Sequence, residues 1–198
     1  MPPAGFLREL RTICDRERVL LMVDEIQSGL GRTGRMFCYE HDGVRPDVLI
    51  LGKALSGGVY PVSAMLADAA VMDVFRPGDH GSTYGGNPLG AAVAVAALQV
   101  LVEEHMVENA AALGAHAFER LARLRSPHVK EVRGKGLWIG IELHARAGGA
   151  RRFCEQLMLR GVLCKETHEH VIRLAPPLVI TREQLDEVLT AIETVLRA

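Results

Sequence analysis

Cysteine is scarce in this sequence, and the four present (Cys14, Cys38, Cys154 and Cys164) stand far apart. That spacing excludes a paired zinc site and the dense disulfide framework of a small secreted domain, and it fits a reducing cytoplasm. Neither sign of charge dominates. The formal net charge is −1 and Lys/Arg are mixed with Asp/Glu, so there is no basic stripe to hold nucleic acid or an anionic membrane, and small molecules are the expected partners. No apolar run approaches the roughly 20 residues that span a bilayer. The start, Met1-Pro2-Pro3-Ala4-Gly5, has no basic region followed by an apolar stretch, so nothing directs export and a cytoplasmic location is expected. Internal repeats and low-complexity tracts are missing too. What is present is ordinary globular composition, 48% hydrophobic and 24% charged over 198 residues, enough for one sizeable core or two small ones.

Residues 6–17 carry Phe6, Leu7, Leu10 and Ile13 at helical spacing and run directly into the apolar Val19-Leu20-Leu21-Met22-Val23, which reads as a helix and then a buried strand. A glycine-rich connection leads to a second apolar run, Val48-Leu49-Ile50-Leu51, and a third, Val62–Leu66. Runs of this kind suit a sheet covered on both faces. Asn87-Pro88 supplies an N-cap and a first-turn proline for an Ala/Val/Leu-rich helix reaching about Glu104, and its near-uniform apolarity predicts burial. Residues 107–124 read as another helix, or as the bent continuation of the one before. Beyond them Val129–Arg133 and Leu137–Leu143 read as strands, 149–160 as a helix and Val171–Leu174 as a strand. Residues 181–196 read as an amphipathic helix with Thr181 and Gln184 as its capping box. The first hundred residues therefore form part of an α/β sheet layer and the remainder a small α+β domain, with the boundary near Glu104–Asn109.

An acid follows one apolar strand (Asp24) and a lysine follows another (Lys53), at the strand carboxyl ends where open α/β sheets bind ligands. A carboxylate there can keep a pyridine nitrogen protonated, and a lysine amine can attach a carbonyl cofactor, the protein's share of electron-sink chemistry. The plainer reading is that Asp24 caps a turn and Lys53 extends to solvent. Gly29-Leu30-Gly31-Arg32-Thr33-Gly34 matches the G-x-G-x-x-G pattern of nicotinamide-binding modules, but no full crossover helix follows and the glycines do not come directly off the strand. Gly52-Lys53 lacks the earlier glycine and following Ser/Thr of a phosphate-binding P-loop. The hydroxyl- and glycine-rich stretch His80–Asn87 feeds a helix N-terminus and is a candidate anion site, or a capped surface loop. Arg173, in the strand-like Val171-Ile172-Arg173-Leu174, is placed to grip a carboxylate bidentately or to sit in a structural ion pair. His168-Glu169-His170 has no third and fourth ligand at metal spacing and reads as a solvated loop.

Taken together, Val23-Asp24-Glu25-Ile26-Gln27, Gly52-Lys53-Ala54-Leu55-Ser56-Gly57-Gly58 and Gly81-Ser82-Thr83-Tyr84-Gly85-Gly86-Asn87-Pro88 resemble, in order and spacing, successive signatures of the class III aminotransferases. The words Gly58-Val59-Tyr60-Pro61-Val62-Ser63-Ala64, Val132-Arg133-Gly134-Lys135-Gly136 and Arg173-Leu174-Ala175-Pro176-Pro177-Leu178 resemble its ornithine branch rather than the acetylornithine or 4-aminobutyrate ones. The resemblance runs from about Pro3 to the carboxyl end. It implies the type I fold of pyridoxal-phosphate transferases, an α/β class: residues 1–105 as part of a large domain with a mostly parallel sheet, and residues 106–198 as a small α+β domain. It implies pyridoxal 5′-phosphate as cofactor, attached to Lys53, which also moves the substrate proton. Asp24 then pairs with the ring nitrogen, Gln27 contacts the phenolic-oxygen side, and Ser82 and Thr83 reach the phosphate of a neighbouring subunit in a homodimer. Arg173 binds the carboxylate of 2-oxoglutarate or glutamate. The implied reaction transfers the δ-amino group of L-ornithine to 2-oxoglutarate. Family members are much longer, so a separate amino-terminal half enters as an expected partner, and an acetylornithine or 4-aminobutyrate aminotransferase, an inactive remnant and a nicotinamide-binding module stand as alternatives.

Overall fold

A computed structural model describes residues 1–197; Ala198, the last residue of the expected small domain, lies outside them. Contacts divide the chain into two units. One holds Pro2–Gly31 with Arg35–His105, and the other holds Arg32–Gly34 with the chain from Met106 onward.

The first unit begins with α1 (Phe6–Glu17), which ends where Arg18 turns left-handed. Its buried Cys14 packs with Leu21 and Val44 in a small cluster flanked by Leu7, Leu10 and Val23. The sheet has the order β1 (Met22–Asp24), β2 (Val48–Leu51), β3 (Ala64–Ala67). β1 pairs with β2 in parallel, and β2 pairs with β3 antiparallel. Asp47 ties the start of β2 to the preceding layer, its carboxylate accepting from Leu21 N–H at 2.7 Å and from Arg11 at 2.6 Å. A short helix, α2 (Ala69–Met72), and then α3 (Pro88–Glu103) complete the unit. The Asn87 side chain accepts from Gly90 N–H at 2.7 Å, so the expected cap forms.

Two expectations about burial fail here. Only Leu21 of the run Val19–Met22 is buried, while Val19, Leu20 and Met22 are more than half exposed, because β1 is an edge strand and only Met22–Asp24 reaches the ladder. On α3 only Gly90 and Leu101 are buried, and Leu89, Val95, Leu98, Val100 and Val102 are exposed. The helix is apolar on every side, and this unit supplies little beyond the turn after β2 to pack against it. β2 alone meets the expectation of a covered strand, with Val48, Leu49 and Leu51 buried.

The second unit has a full core. The sheet β4 (Val129–Lys135), β5 (Trp138–Leu143), β7 (Val171–Leu174), β6 (Lys165–Thr167) is antiparallel throughout. Burial alternates along β5 with period two, which sends Ile139, Ile141 and Leu143 to one face. There they meet Leu113, Ala117 and Leu121 of α4 (Met106–Ala122), Phe153 and Leu157 of α5 (Arg151–Met158), and Leu185, Leu189, Ile192 and Leu196 of α6 (Arg182–Arg197). Each leucine, isoleucine or phenylalanine among them contributes about 1.5–3 kcal/mol on burial. The Thr181–Gln184 capping box forms reciprocally, at 3.0 and 3.2 Å. β6 is a strand the sequence pattern does not announce, because its three residues, Lys165-Glu166-Thr167, are polar or charged.

The glycine-rich words find their reason in this unit. Gly136 (φ +53°) lies against the Thr33–Gly34 backbone so closely that a Cβ would fall 2.4 Å from Thr33 C, and one on Gly114 would fall 2.5 Å from Gly136. Arg32 Nη1 donates to the carbonyls of Leu137 (3.1 Å) and Pro176 (2.6 Å), and its own carbonyl accepts from Leu137 N–H at 3.1 Å. Burial pushes the Arg32 guanidinium below its ordinary range. The second half of the G-x-G-x-x-G word is therefore an inserted wedge and not the opening of a helix, which removes the nicotinamide reading.

Candidate active site

Two charged residues leave the sheet of the first unit at neighbouring strand ends. Asp24 is the last residue of β1 and stands opposite Ile50 on the parallel β2; Lys53 follows β2 after Gly52. The Asp24 carboxylate accepts from Ile26 N–H at 2.9 Å, so it does cap the turn, yet it remains exposed. Glu25, the next residue, faces the other way and is 1% exposed. Its carboxylate accepts from Cys38 N–H and Tyr39 N–H, both at 2.7 Å. Burial pushes the Glu25 carboxyl above its ordinary range, with the two backbone donors pulling it back. One acid organises the loop, and its neighbour stays exposed at the strand end. Sequence reasoning missed Glu25; the available signal was the strand pleat, which sends consecutive residues to opposite sides.

Lys53 has φ +45°, a left-handed conformation for a residue with a Cβ, which carries about 1–2 kcal/mol of strain. It opens a single 3-10 turn, Lys53–Ser56. The buried Ser56 hydroxyl bridges that turn, donating to Lys53 O and accepting from Tyr60 N–H, each at 3.4 Å. The Lys53 amine is exposed and has no bonded partner among the described residues. It lines an open cleft of ≈ 450 Å³ with Tyr60, Pro61, Val62 and Ser63. The Tyr60 ring reaches the first turn of α3, where a Cβ on the buried Gly90 would sit 3.4 Å from it, and Gly57 meets Ala97 further along that helix.

Gln27 lies half-buried in the turn after β1. Ser82 and Thr83 are exposed in the loop that enters α3, and Ser82 Oγ accepts from Gly85 N–H at 2.8 Å. Arg173 belongs to the second unit, on β7 opposite Gly140 and Lys165. The expected alternative for Arg173, a structural ion pair, does not appear. The other half-buried arginines are all bonded: Arg11 to Asp47, Arg32 to two carbonyls, Arg120 to Asp186 and Glu193, and Arg133 to Glu142. Arg173 has no bonded partner among the described residues. His168-Glu169-His170 forms the reversal between β6 and β7, with His168 and Glu169 at positive φ. Among the described residues no group of three or more His, Cys, Asp or Glu has metal-holding geometry. Among the described residues no single helix is long and apolar enough to cross a membrane.

An amine and a carboxylate at the ends of adjacent parallel strands, with the amine unpaired in a cleft, fit the donor set that a pyridine-ring carbonyl cofactor requires. The fold is the type I fold of the pyridoxal-phosphate transferases. The chain belongs to the class III aminotransferases, whose family profile matches residues 1–196. An ornithine aminotransferase from an Exiguobacterium species is 55% identical over 196 residues, which is 99% of this chain and 48% of the relative. The solved ornithine aminotransferase of Toxoplasma gondii, described with partial occupancy of PLP at its active site, is 45% identical with a TM-score of 0.96, over 99% of this chain and 47% of that one. An acetylornithine aminotransferase from Elizabethkingia anophelis is also 45% identical, with a TM-score of 0.93 over 99% and 50%. The chain thus spans about half the length of the relatives it matches. Enzymes of this family depend on pyridoxal phosphate.

Proposed function

We propose that this chain carries the cofactor lysine and a substrate-binding arginine of an enzyme that moves the δ-amino group of L-ornithine to 2-oxoglutarate, giving glutamate 5-semialdehyde and glutamate. The observation that carries this reading is Lys53, an unpaired amine held at positive φ in a cleft at the end of β2, the strand that pairs in parallel with the one ending at Asp24; the 55% identity to an ornithine aminotransferase supports the substrate. Pyridoxal phosphate, when bound, supplies the electron sink. Lys53 Nζ would hold the cofactor and, once released from it by the incoming substrate amine, would take the proton from the amino-bearing substrate carbon and return it. The Asp24 carboxylate would hold a proton on the ring nitrogen, and Gln27 would contact the phenolic-oxygen side. Ser82 and Thr83 would donate to the phosphate of the neighbouring subunit in a homodimer, and the Arg173 guanidinium would grip the carboxylate of the 2-oxo acid. A cytoplasmic location belongs to the same reading. N-acetylornithine is the second candidate donor, because its aminotransferase shares this half of the fold at 45% identity.

The test is visible absorbance after adding pyridoxal phosphate to the purified chain, alone and with a polypeptide carrying the rest of the family's length. The expected result is a band that Lys53→Ala abolishes and that changes on adding ornithine but not N-acetylornithine. A reversed preference moves the assignment to the acetylornithine branch. Absence of any Lys53-dependent band in both mixtures overturns it.

A further inference from the structure

The register of the second unit's sheet sets four residues in one cross-strand row: Arg133 on β4, Gly140 on β5, Arg173 on β7 and Lys165 on β6. Residues directly opposite one another leave the same face of a sheet, with Cβ atoms about 5 Å apart unless one is glycine. This is the face away from the helices, since Ile139, Ile141, Ile172 and Leu174, at alternating positions, are buried beneath them. Three of the four are cations, and the fourth, Gly140, has no side chain; the nearest atoms to a Cβ there are Val171 Cγ1 at 3.5 Å and Arg133 O at 3.6 Å. Arg133 is neutralised by Glu142 and Glu131. Arg173 and Lys165 have no carboxylate partner among the described residues. The nearest acid along β6, Glu166, faces the other way in register with Ile172, and Arg151 is the main cause of its lowered carboxyl pKa, with Lys165 the last contributor.

Like charges directly opposite on neighbouring strands destabilise a sheet. A lysine placed across from an unpaired arginine therefore weakens the free chain unless an anion joins them. We infer that Lys165 is a specificity-determining residue, the second cation that receives the carboxylate of a dicarboxylate substrate beside Arg173. This rests on the assignment of Arg173 as the carboxylate-binding arginine, and it adds a residue on a strand the sequence pattern did not announce.

The test titrates the purified 198-residue chain with glutarate, and with uncharged glutaramide as control, reading affinity by calorimetry and the midpoint of thermal unfolding without ligand. Lys165→Gln is expected to raise the ligand-free midpoint by about 1–3 °C, through loss of the like-charge pair, and to weaken glutarate binding about five-fold or more. Lys165→Arg restores the affinity. A lysine with a purely structural role would lower the midpoint and leave affinity alone. Glutarate binding that Lys165→Gln leaves unchanged overturns the role of Lys165 while leaving Arg173 in place. Absence of saturable glutarate binding to the wild-type chain, or equal binding by Arg173→Gln, overturns both assignments.

Discussion

At the scale of single residues, neighbouring acids divide their work by pleat alone. Glu25 turns inward and holds two backbone N–H groups, so Glu25→Ala strands both donors and is expected to destabilise the first unit by about 2–4 kcal/mol, read by denaturant unfolding. Asp24 is exposed with a single local bond, so Asp24→Asn should leave stability within about 0.5 kcal/mol while removing the negative charge proposed to hold the ring-nitrogen proton. Unchanged cofactor absorbance and turnover in that variant would count against its assignment. Lys53 offers a test independent of any cofactor. Alanine keeps the strain of φ +45° and glycine releases it, so Lys53→Gly should be more stable than Lys53→Ala by about 1 kcal/mol. Equal stability would mean that the left-handed turn carries no strain.

Among elements, α4 and α6 are clamped by a charged cluster in which Asp186 faces His116 and Arg120 from α4 and Arg182 from its own helix. The hydrogen bond from His116, then that from Arg120, holds the Asp186 carboxyl below its ordinary range. A carboxyl with a depressed folded pKa gives stability that is full above its unfolded value, about 4, and is lost as pH falls through the lowered one. Acid unfolding of the second unit should therefore steepen below about pH 4, and Asp186→Asn should flatten that limb in a pH series of melts. The wedge at Arg32–Gly34 is governed by sterics instead. Gly136→Ala places a Cβ against backbone at a positive φ and should destabilise by at least about 2 kcal/mol, more than Gly148→Ala, whose Cβ meets open space.

Over the whole molecule, the helices and the buried strands were readable because periodicity and capping chemistry are local. α1 falls on the expected residues, the Asn87 cap closes on Gly90, and the Thr181–Gln184 box closes on itself. Burial of α3 was not readable, because a uniformly apolar helix reports that a covering is needed without saying whether the same chain supplies it. β6 and Lys165 escaped because three polar residues carry no apolar period, and only pairing with β7 makes them a strand. Leu89, Val95 and Leu98, spread around α3, and Met65 and Leu66 of β3 leave large apolar side chains in water. The purified chain is expected to self-associate on that account, and sedimentation velocity across concentration should show it, with Leu98→Lys reducing the effect. A monodisperse monomer at all concentrations would mean the exposed side chains form no contiguous patch.

Arg32 bonds to partners 105 and 144 positions along the chain. Contacts of that span form late, because the intervening segment must be ordered before they repay its loop entropy. The wedge then governs how long the second unit stays folded more than how fast it folds. Loss of the guanidinium in Arg32→Ala should accelerate unfolding in stopped-flow measurements and leave the refolding rate nearly unchanged, which makes the glycine-rich word a latch on the lifetime of the native state.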